Sequence, residues 1–242
     1  MTEPRIKAFG FRPGRVISGR FEILDHLGSG WEGEVYLVRE CDTGIERALK
    51  LFFPHRNLEG EASKRYARKL HALRHCPIII QYHVQGTTRV RGATVTYIVF
   101  DYAPGEALAR FLARQPGQRL STLAGLHLLY AITCGLEAVH AAGEYHGDLH
   151  TENVIVAKFG LTFDIKVLDF FHQQGSRRSQ MRGDVVDVIR IFYDSLGGAR
   201  HYAKQPAEVK AICRGLKHSL IIERFPTLTR LKAHLESINW VQ

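Results

Sequence analysis

Cysteine is scarce in this chain and scattered: Cys41, Cys76, Cys134 and Cys213 share no CxxC spacing and build no dense framework. That argues against a disulfide-stapled scaffold, and reduced thiols in a cytoplasm are the expectation. Long apolar runs are also missing, and those present read as too short to span a bilayer. Arg5 and Lys7 are not followed by the apolar core of a secretory leader. No internal repeat or low-complexity tract interrupts the chain. Acid is in deficit, with 24 Asp and Glu against 33 Lys and Arg, a formal net charge of +9. Nucleic acid is not expected as the main ligand, because no helix-turn-helix, zinc-finger or aromatic-basic signature accompanies the charge, which is spread along the chain. A basic cleft attracting phosphate or an acidic partner fits equally well.

What is present suits one sizeable core. The 242 residues are 45% hydrophobic and 24% charged, enough for one large domain or a two-lobed unit. Residues 1–20 are basic and rich in Gly and Pro, and read as an extended or partly disordered arm. From Phe21 the pattern alternates as strands do: about 21–24, 28–38 and 45–52, then 79–88 and 93–100, with a helical stretch between Asn57 and His75. After Asp101-Tyr102-Ala103-Pro104-Gly105 helical spacing takes over, at 107–115, 122–142, 184–195, 207–219 and 228–238. The expected class is α+β: a sheet-rich lobe over 21–102 and a mainly helical lobe over 103–242, forming one domain.

Two constellations carry chemistry. Gly28-Ser29-Gly30-Trp31-Glu32-Gly33 alone is weak, since a three-glycine pattern also opens dinucleotide-binding folds. Here it precedes Val35-Tyr36-Leu37-Val38, β-branched and aromatic, so the glycines sit in a strand-turn-strand hairpin. Ala48-Leu49-Lys50 then places a cation where it meets phosphates covered by that hairpin. The second run is His146-Gly147-Asp148-Leu149-His150-Thr151-Glu152-Asn153, a polar loop entering Val154-Ile155-Val156. A further apolar strand, Ile165–Leu168, ends in Asp169-Phe170. An Asp to accept a hydroxyl proton, with an Asn and a second Asp to hold Mg²⁺ on a nucleotide, suits phosphoryl transfer. Singly, Asp148 and Asn153 also suit turn and strand capping, and Asp169 suits a strand end.

Together these runs resemble the protein-kinase-like superfamily, especially the bacterial enzymes similar to eukaryotic Ser/Thr kinases, over about residues 13–240. The resemblance implies a two-lobed kinase fold, with ATP and Mg²⁺ as cofactors. It implies that Gly28, Gly30 and Gly33 cover the phosphates, that Val35 and Ala48 line the nucleotide site, and that Lys50 holds the α- and β-phosphates. Phe100 falls at the gatekeeper position. Asp101 to Ala103 would be the hinge whose backbone meets adenine, and Glu106 would reach the ribose. Asp148 would be the catalytic base, His150 would stand beside the transferring phosphate, and Asn153 and Asp169 would be the Mg²⁺ ligands. Asp184 resembles the acid that opens a buried helix and hydrogen-bonds the catalytic loop.

Several positions depart from that pattern. Gly147 replaces an Arg, so a phosphorylated activation loop has no partner cation there. His150 stands where Ser/Thr kinases carry Lys, as in aminoglycoside-, choline- and lipid-type kinases and some bacterial protein kinases. Phe171 replaces a Gly. Only 14 residues separate Asp169 from Asp184, and no Ala-Pro-Glu follows. Arg224 lacks its usual Glu. The helix acid that should pair with Lys50 is displaced: the expected position holds Tyr66, and Glu61, one to two turns earlier, is the favoured substitute, although a solvated first-turn acid explains it as well. His71, His75 and Cys76, and likewise His140, His146 and His150, have spacings that metals use but lack a closed ligand shell. His146 reads better as a core residue. Ser176-Arg177-Arg178-Ser179 reads as a solvated basic loop, with autophosphorylation as the alternative. The expected activity is ATP- and Mg²⁺-dependent transfer to a hydroxyl. A protein Ser/Thr is the leading acceptor, a small molecule the second, and an ATP-binding pseudokinase module the third. No membrane partner is expected.

Overall fold

The computed structural model describes residues 6–160, 162–170 and 175–238. The chain divides into two compact units, one of residues up to His75 with Ile79–Ala103, the other of Cys76–Ile78 with Pro104 onward.

Among the described residues, the first unit is a six-stranded antiparallel sheet with one α-helix. Its elements in chain order are β1 (Val16–Ile17), β2 (Phe21–Ser29), β3 (Gly33–Glu40), β4 (Glu46–Phe52), α1 (Glu61–Ala72), β5 (Tyr82–Val90) and β6 (Ala93–Asp101). The sheet order is β1-β2-β3-β4-β6-β5. The β5–β6 turn is two residues, Arg91 and Gly92, with φ of 51° and 83°. Positive φ at both positions matches the right-handed twist of the flanking strands and fixes the register Val90↔Ala93. Side chains alternate across β4, so Leu49 and Leu51 enter the apolar cluster while Ala48 and Lys50 occupy the opposite face.

Of the residues read as an extended arm, the stretch from Ile6 to Phe11 is packed instead. Ile6, Phe9 and Phe11 are buried and join the cluster formed by Tyr36, Leu51, Phe53 and Val95. Phe9 stacks on Phe53 at 5.2 Å. The backbone N–H groups of Phe9 and Gly10 donate to the buried Glu34 carboxylate at 3.1 and 3.3 Å, and Phe11 N–H donates to Tyr36 Oη at 3.2 Å. Burial and the Tyr36–Glu34 hydrogen bond push the Tyr36 phenol up to about 12. The basic composition hid this, because three well-spaced apolar side chains suffice to dock a strap when each contributes about 1.5–3 kcal/mol on burial.

The second unit contains β7 (Glu106–Ala107), α2 (Leu108–Ala113), α3 (Thr122–Ala141), β8 (Val154–Phe159), β9 (Thr162–Val167), α4 (Arg177–Ser195), α5 (Ala199–Tyr202), α6 (Ala207–Cys213), α7 (His218–Arg224) and α8 (Leu228–Glu236). β7, β8 and β9 form a small antiparallel sheet. Helix α3 starts at Ser121, whose hydroxyl accepts from Ala124 N–H at 3.2 Å. By length and composition this helix could cross a membrane, contrary to the expectation that no run is long enough. In the fold it packs Leu128, Ile132, Leu136 and Val139 inward, against α4, α8 and β9.

Two helix expectations need correction. Helix α4 begins at Arg177, about two turns before Asp184. Ser176 is its N-cap, accepting from Ser179 N–H at 3.2 Å, so Ser176-Arg177-Arg178-Ser179 is a helix start and not a loop. The stretch 207–219 is not one helix, because Arg214, Gly215 and Leu216 have φ of 51°, 62° and 55° and end α6 before α7 begins.

Candidate active site

In the first unit, the β2–β3 hairpin and β4 bring the glycines and Lys50 together. Gly28 pairs with Val35, and Val35 lies directly across from Lys50. Gly30 N–H donates to Gly33 O at 2.9 Å, closing the hairpin tip. The three glycines do different work. A Cβ on Gly33 would lie 1.8 Å from Leu51 O, so Gly33 permits the hairpin to sit on β4. A Cβ on Gly28 or Gly30 would meet nothing within 4 Å, which leaves open space over the tip. Ala48 lies across from Phe100, and Lys50 from Ile98, in the β4–β6 register.

Lys50 is 6% exposed. Its ammonium is 3.0 Å from Glu32 Oε2, 4.8 Å from the centre of the Tyr66 ring and 5.3 Å from that of Phe52. Glu61 is not its partner in this unit: the Glu61 carboxylate pairs with Lys64 at 3.3 Å and is 67% exposed. The physical reason is helical phase. Glu61 opens α1 and points to solvent, while the position facing Lys50 is Tyr66, as the count back from Cys76-Pro77 places it. Glu32 was legible as an acid between two glycines but carried no assignment. Asp101 pairs with Arg47 at 2.6 Å and His83 at 2.5 Å, so its carboxylate is committed, and its backbone N–H donates to Gln81 O at 3.0 Å.

In the second unit, the catalytic-type loop is organised by Asp184, which is fully buried in the middle of α4. Its carboxylate accepts from His146 N–H at 2.8 Å, from Gly147 N–H at 2.9 Å and from His140 Nε2 at 2.8 Å. His146, also fully buried, accepts from Asp148 N–H through Nδ1 at 3.3 Å and donates from Nε2 to Leu168 O at 2.7 Å. That fixes its tautomer. Phe170 lies against its ring at 4.7 Å. The loop backbone is thus clamped on both sides while the Asp148 side chain is 54% exposed.

Asn153 Nδ2 donates to Asp148 O at 2.9 Å and lies 3.0 Å from His150 Nε2. Its Oδ1 is therefore turned away from the loop backbone. Leu168 N–H donates to Asn153 O at 2.8 Å and Val154 pairs with Val167, so Asn153 and Asp169 share one end of the β8–β9 ladder. Asp169 has φ of 51°, a conformation that non-glycine residues hold at a cost and that clusters at functional sites. His150 Nε2 is 3.8 Å from Asp148 Oδ2. Asp187, one turn beyond Asp184, is raised to about 6 by burial first and then by the neighbouring charges of Asp184 and Asp148. Glu106, on β7, pairs with Arg114. Phe171, the residue in place of the family's Gly, lies outside the described residues.

Among the described residues no three His, Cys, Asp or Glu side chains converge as a metal cage. Mg²⁺ needs none: it is held by one or two protein oxygens with substrate phosphates and water completing its shell. Asn153 Oδ1 and the Asp169 carboxylate could supply such a donor set.

A profile of the protein kinase domain matches residues 21–202. The chain belongs to the protein kinase family. It is 33% identical to the serine/threonine-protein kinase pkn2 of Myxococcus xanthus over 64% of its own length and 18% of that protein's. Against cyclin-dependent kinase B2-2 of Arabidopsis thaliana, identity is 29%, over 80% of this chain and 63% of the relative. The kinase chain therefore spans less than two thirds of these relatives' length. Its fold is that of the PknI kinase domain of Mycobacterium tuberculosis, with a TM-score of 0.64 at 18% identity, covering 94% of this chain and 98% of that one.

Proposed function

We infer that this kinase domain transfers the γ-phosphoryl group of ATP to a hydroxyl, with a protein Ser or Thr as the acceptor. The observation that carries the reading is the clamped loop: Asp184 and His146 fix the backbone on either side of Asp148 while leaving its carboxylate exposed. Asp148 would accept the acceptor's proton and orient its oxygen. Asn153 Oδ1 and Asp169 would hold Mg²⁺, which when bound neutralises charge on the phosphates. Lys50 would hold the α- and β-phosphates beneath the open backbone of Gly28 and Gly30. Val35, Ala48 and Phe100 would line the adenine end, where the backbone of Asp101 to Ala103 supplies hydrogen bonds, and Glu106 would exchange Arg114 for a ribose hydroxyl. Because catalysis here is positioning plus charge stabilisation, a loop with no spare freedom is what the chemistry requires.

A second reading, a small-molecule acceptor, is favoured by one observation. Helix α4 begins at Arg177, so the segment after Asp169 is even shorter than the spacing to Asp184 indicates, and little chain remains to dock a peptide. Gly147 brings no cation for a phosphorylated loop. The deciding experiment incubates the purified protein with γ-labelled ATP and Mg²⁺, once with a protein lysate and once with a deproteinised metabolite pool. Label on Ser or Thr of protein supports the first reading. Label confined to metabolites selects the second, and no Mg²⁺-dependent transfer to either rejects both in favour of a binding module.

A further inference from the structure

A buried ammonium is costly unless an anion compensates it. Helix α1 turns an aromatic face to Lys50, with Tyr66 at 4.8 Å, and spends its first-turn acid on Lys64. Within the first unit, a carboxylate from the tip of the glycine hairpin stands beside the ammonium: Glu32, at 3.0 Å. We propose that Glu32 is the positioning residue for Lys50, so that the lysine is oriented by closure of the glycine hairpin and not by placement of the helix.

Three features of the hairpin support this assignment. Phe53 N–H donates to Glu32 O at 2.8 Å, which ties the residue's backbone to the end of β4, three residues from Lys50. Gly33 sits on Leu51 O, so the peptide next to Glu32 has no room to swing. On the other side, the Arg56 guanidinium covers the Trp31 ring at 3.1 Å, a stacking contact that holds the tip down. The hairpin is thus fastened on both sides of Glu32, and its acid is delivered by a fixed backbone. An ammonium has three N–H donors. One is directed to Glu32, and contact with phosphate oxygens is the use that the proposed function assigns to Lys50 and on which this inference rests.

The arrangement makes the hairpin both the cover of the phosphate site and the source of lysine orientation. Glu32→Gln keeps the shape and removes the charge, and is expected to lower kcat/KM for ATP by about 10- to 100-fold, the scale of a misplaced catalytic group. Adding Tyr66→Glu, which returns an acid to the helix, is expected to recover most of that loss, and Glu32→Asp to fall between. A second readout needs no turnover: acylation of the Lys50 amine without nucleotide, followed by mass spectrometry. It should rise about tenfold in Glu32→Gln, as an opposite charge at this distance shifts protonation by about a unit, and fall again in the double variant. Glu32→Gln matching the parent in both readouts overturns the assignment, as does Tyr66→Glu giving the same effect with and without Glu32. A parent that transfers no phosphate, yet shows the acylation pattern, rejects the kinase reading alone and leaves the role of Glu32 standing.

Discussion

The second unit fixes its reactive loop with a carboxylate that solvent does not reach, whereas the first unit meets its lysine with one that is 35% exposed. Asp184 holds two backbone N–H groups and a histidine from the interior of α4, and the cost of burying it is offset only while all three are present. Glu32 sits on a hairpin tip, and its pair with Lys50 is screened by water on one side. The first arrangement is rigid and intolerant of change. The second has a fixed backbone but a half-open side chain, so a change of charge at Glu32 is expected to leave the sheet undisturbed.

Substitutions can break that contrast, and they are ordered here from the largest expected effect. Asp169→Ala removes the proposed Mg²⁺ ligand and should abolish Mg²⁺-dependent phosphoryl transfer while leaving the circular dichroism melt within a few degrees of the parent; undiminished transfer would sink the metal assignment. Asp184→Ala strands two buried N–H groups and should destabilise the protein by about 3–5 kcal/mol in urea unfolding, with the reactive loop losing amide-exchange protection first. Glu34→Ala, on the exposed-hairpin side of the comparison but itself buried, removes the acceptor for Phe9 and Gly10 N–H and should cost about 2 kcal/mol, with protease cleavage appearing within residues 6–15. A parent-like cleavage pattern would show that the strap is held by its apolar side chains alone.

The smallest effect belongs to Asp187. Its folded value is raised from 3.8 to about 6, so its contribution favours the folded state below pH 4 and turns against it as pH rises through 6. Asp187→Asn should therefore leave stability unchanged at pH 4 and raise it at pH 8 by about 1–2 kcal/mol, discounted for partial exposure. Equal gains at both pH values would mean that packing and not charge is responsible.

The legible parts of this molecule were those where residue type and spacing report a backbone requirement. The glycine hairpin ahead of the Lys50 strand, the sheet-rich first part and the helix-rich second part all follow from alternation and turn chemistry that the chain displays openly. His146 as a buried residue and Asp184 as a loop anchor were expected, and both occupy those places. Illegible parts depended on partners distant in sequence. Ile6, Phe9 and Phe11 look like an arm until Glu34 and Tyr36 are brought to them. Glu61 looks like a partner for Lys50 until the phase of α1 is known. The early start of α4 rests on a single Ser176 cap inside a basic run, a signal that composition overrides.

The central claim is that Asp148 acts as a held, solvent-facing base, and one measurement tests it directly. Single-turnover transfer from γ-labelled ATP, with the acceptor that the labelling experiment identifies, compares the parent with Asp148→Asn at saturating Mg²⁺. The account predicts that the transfer step slows by about 10²–10⁴-fold while the Kd for ATP changes less than about threefold. An unchanged transfer rate, or a loss entirely explained by weaker ATP binding, would contradict it.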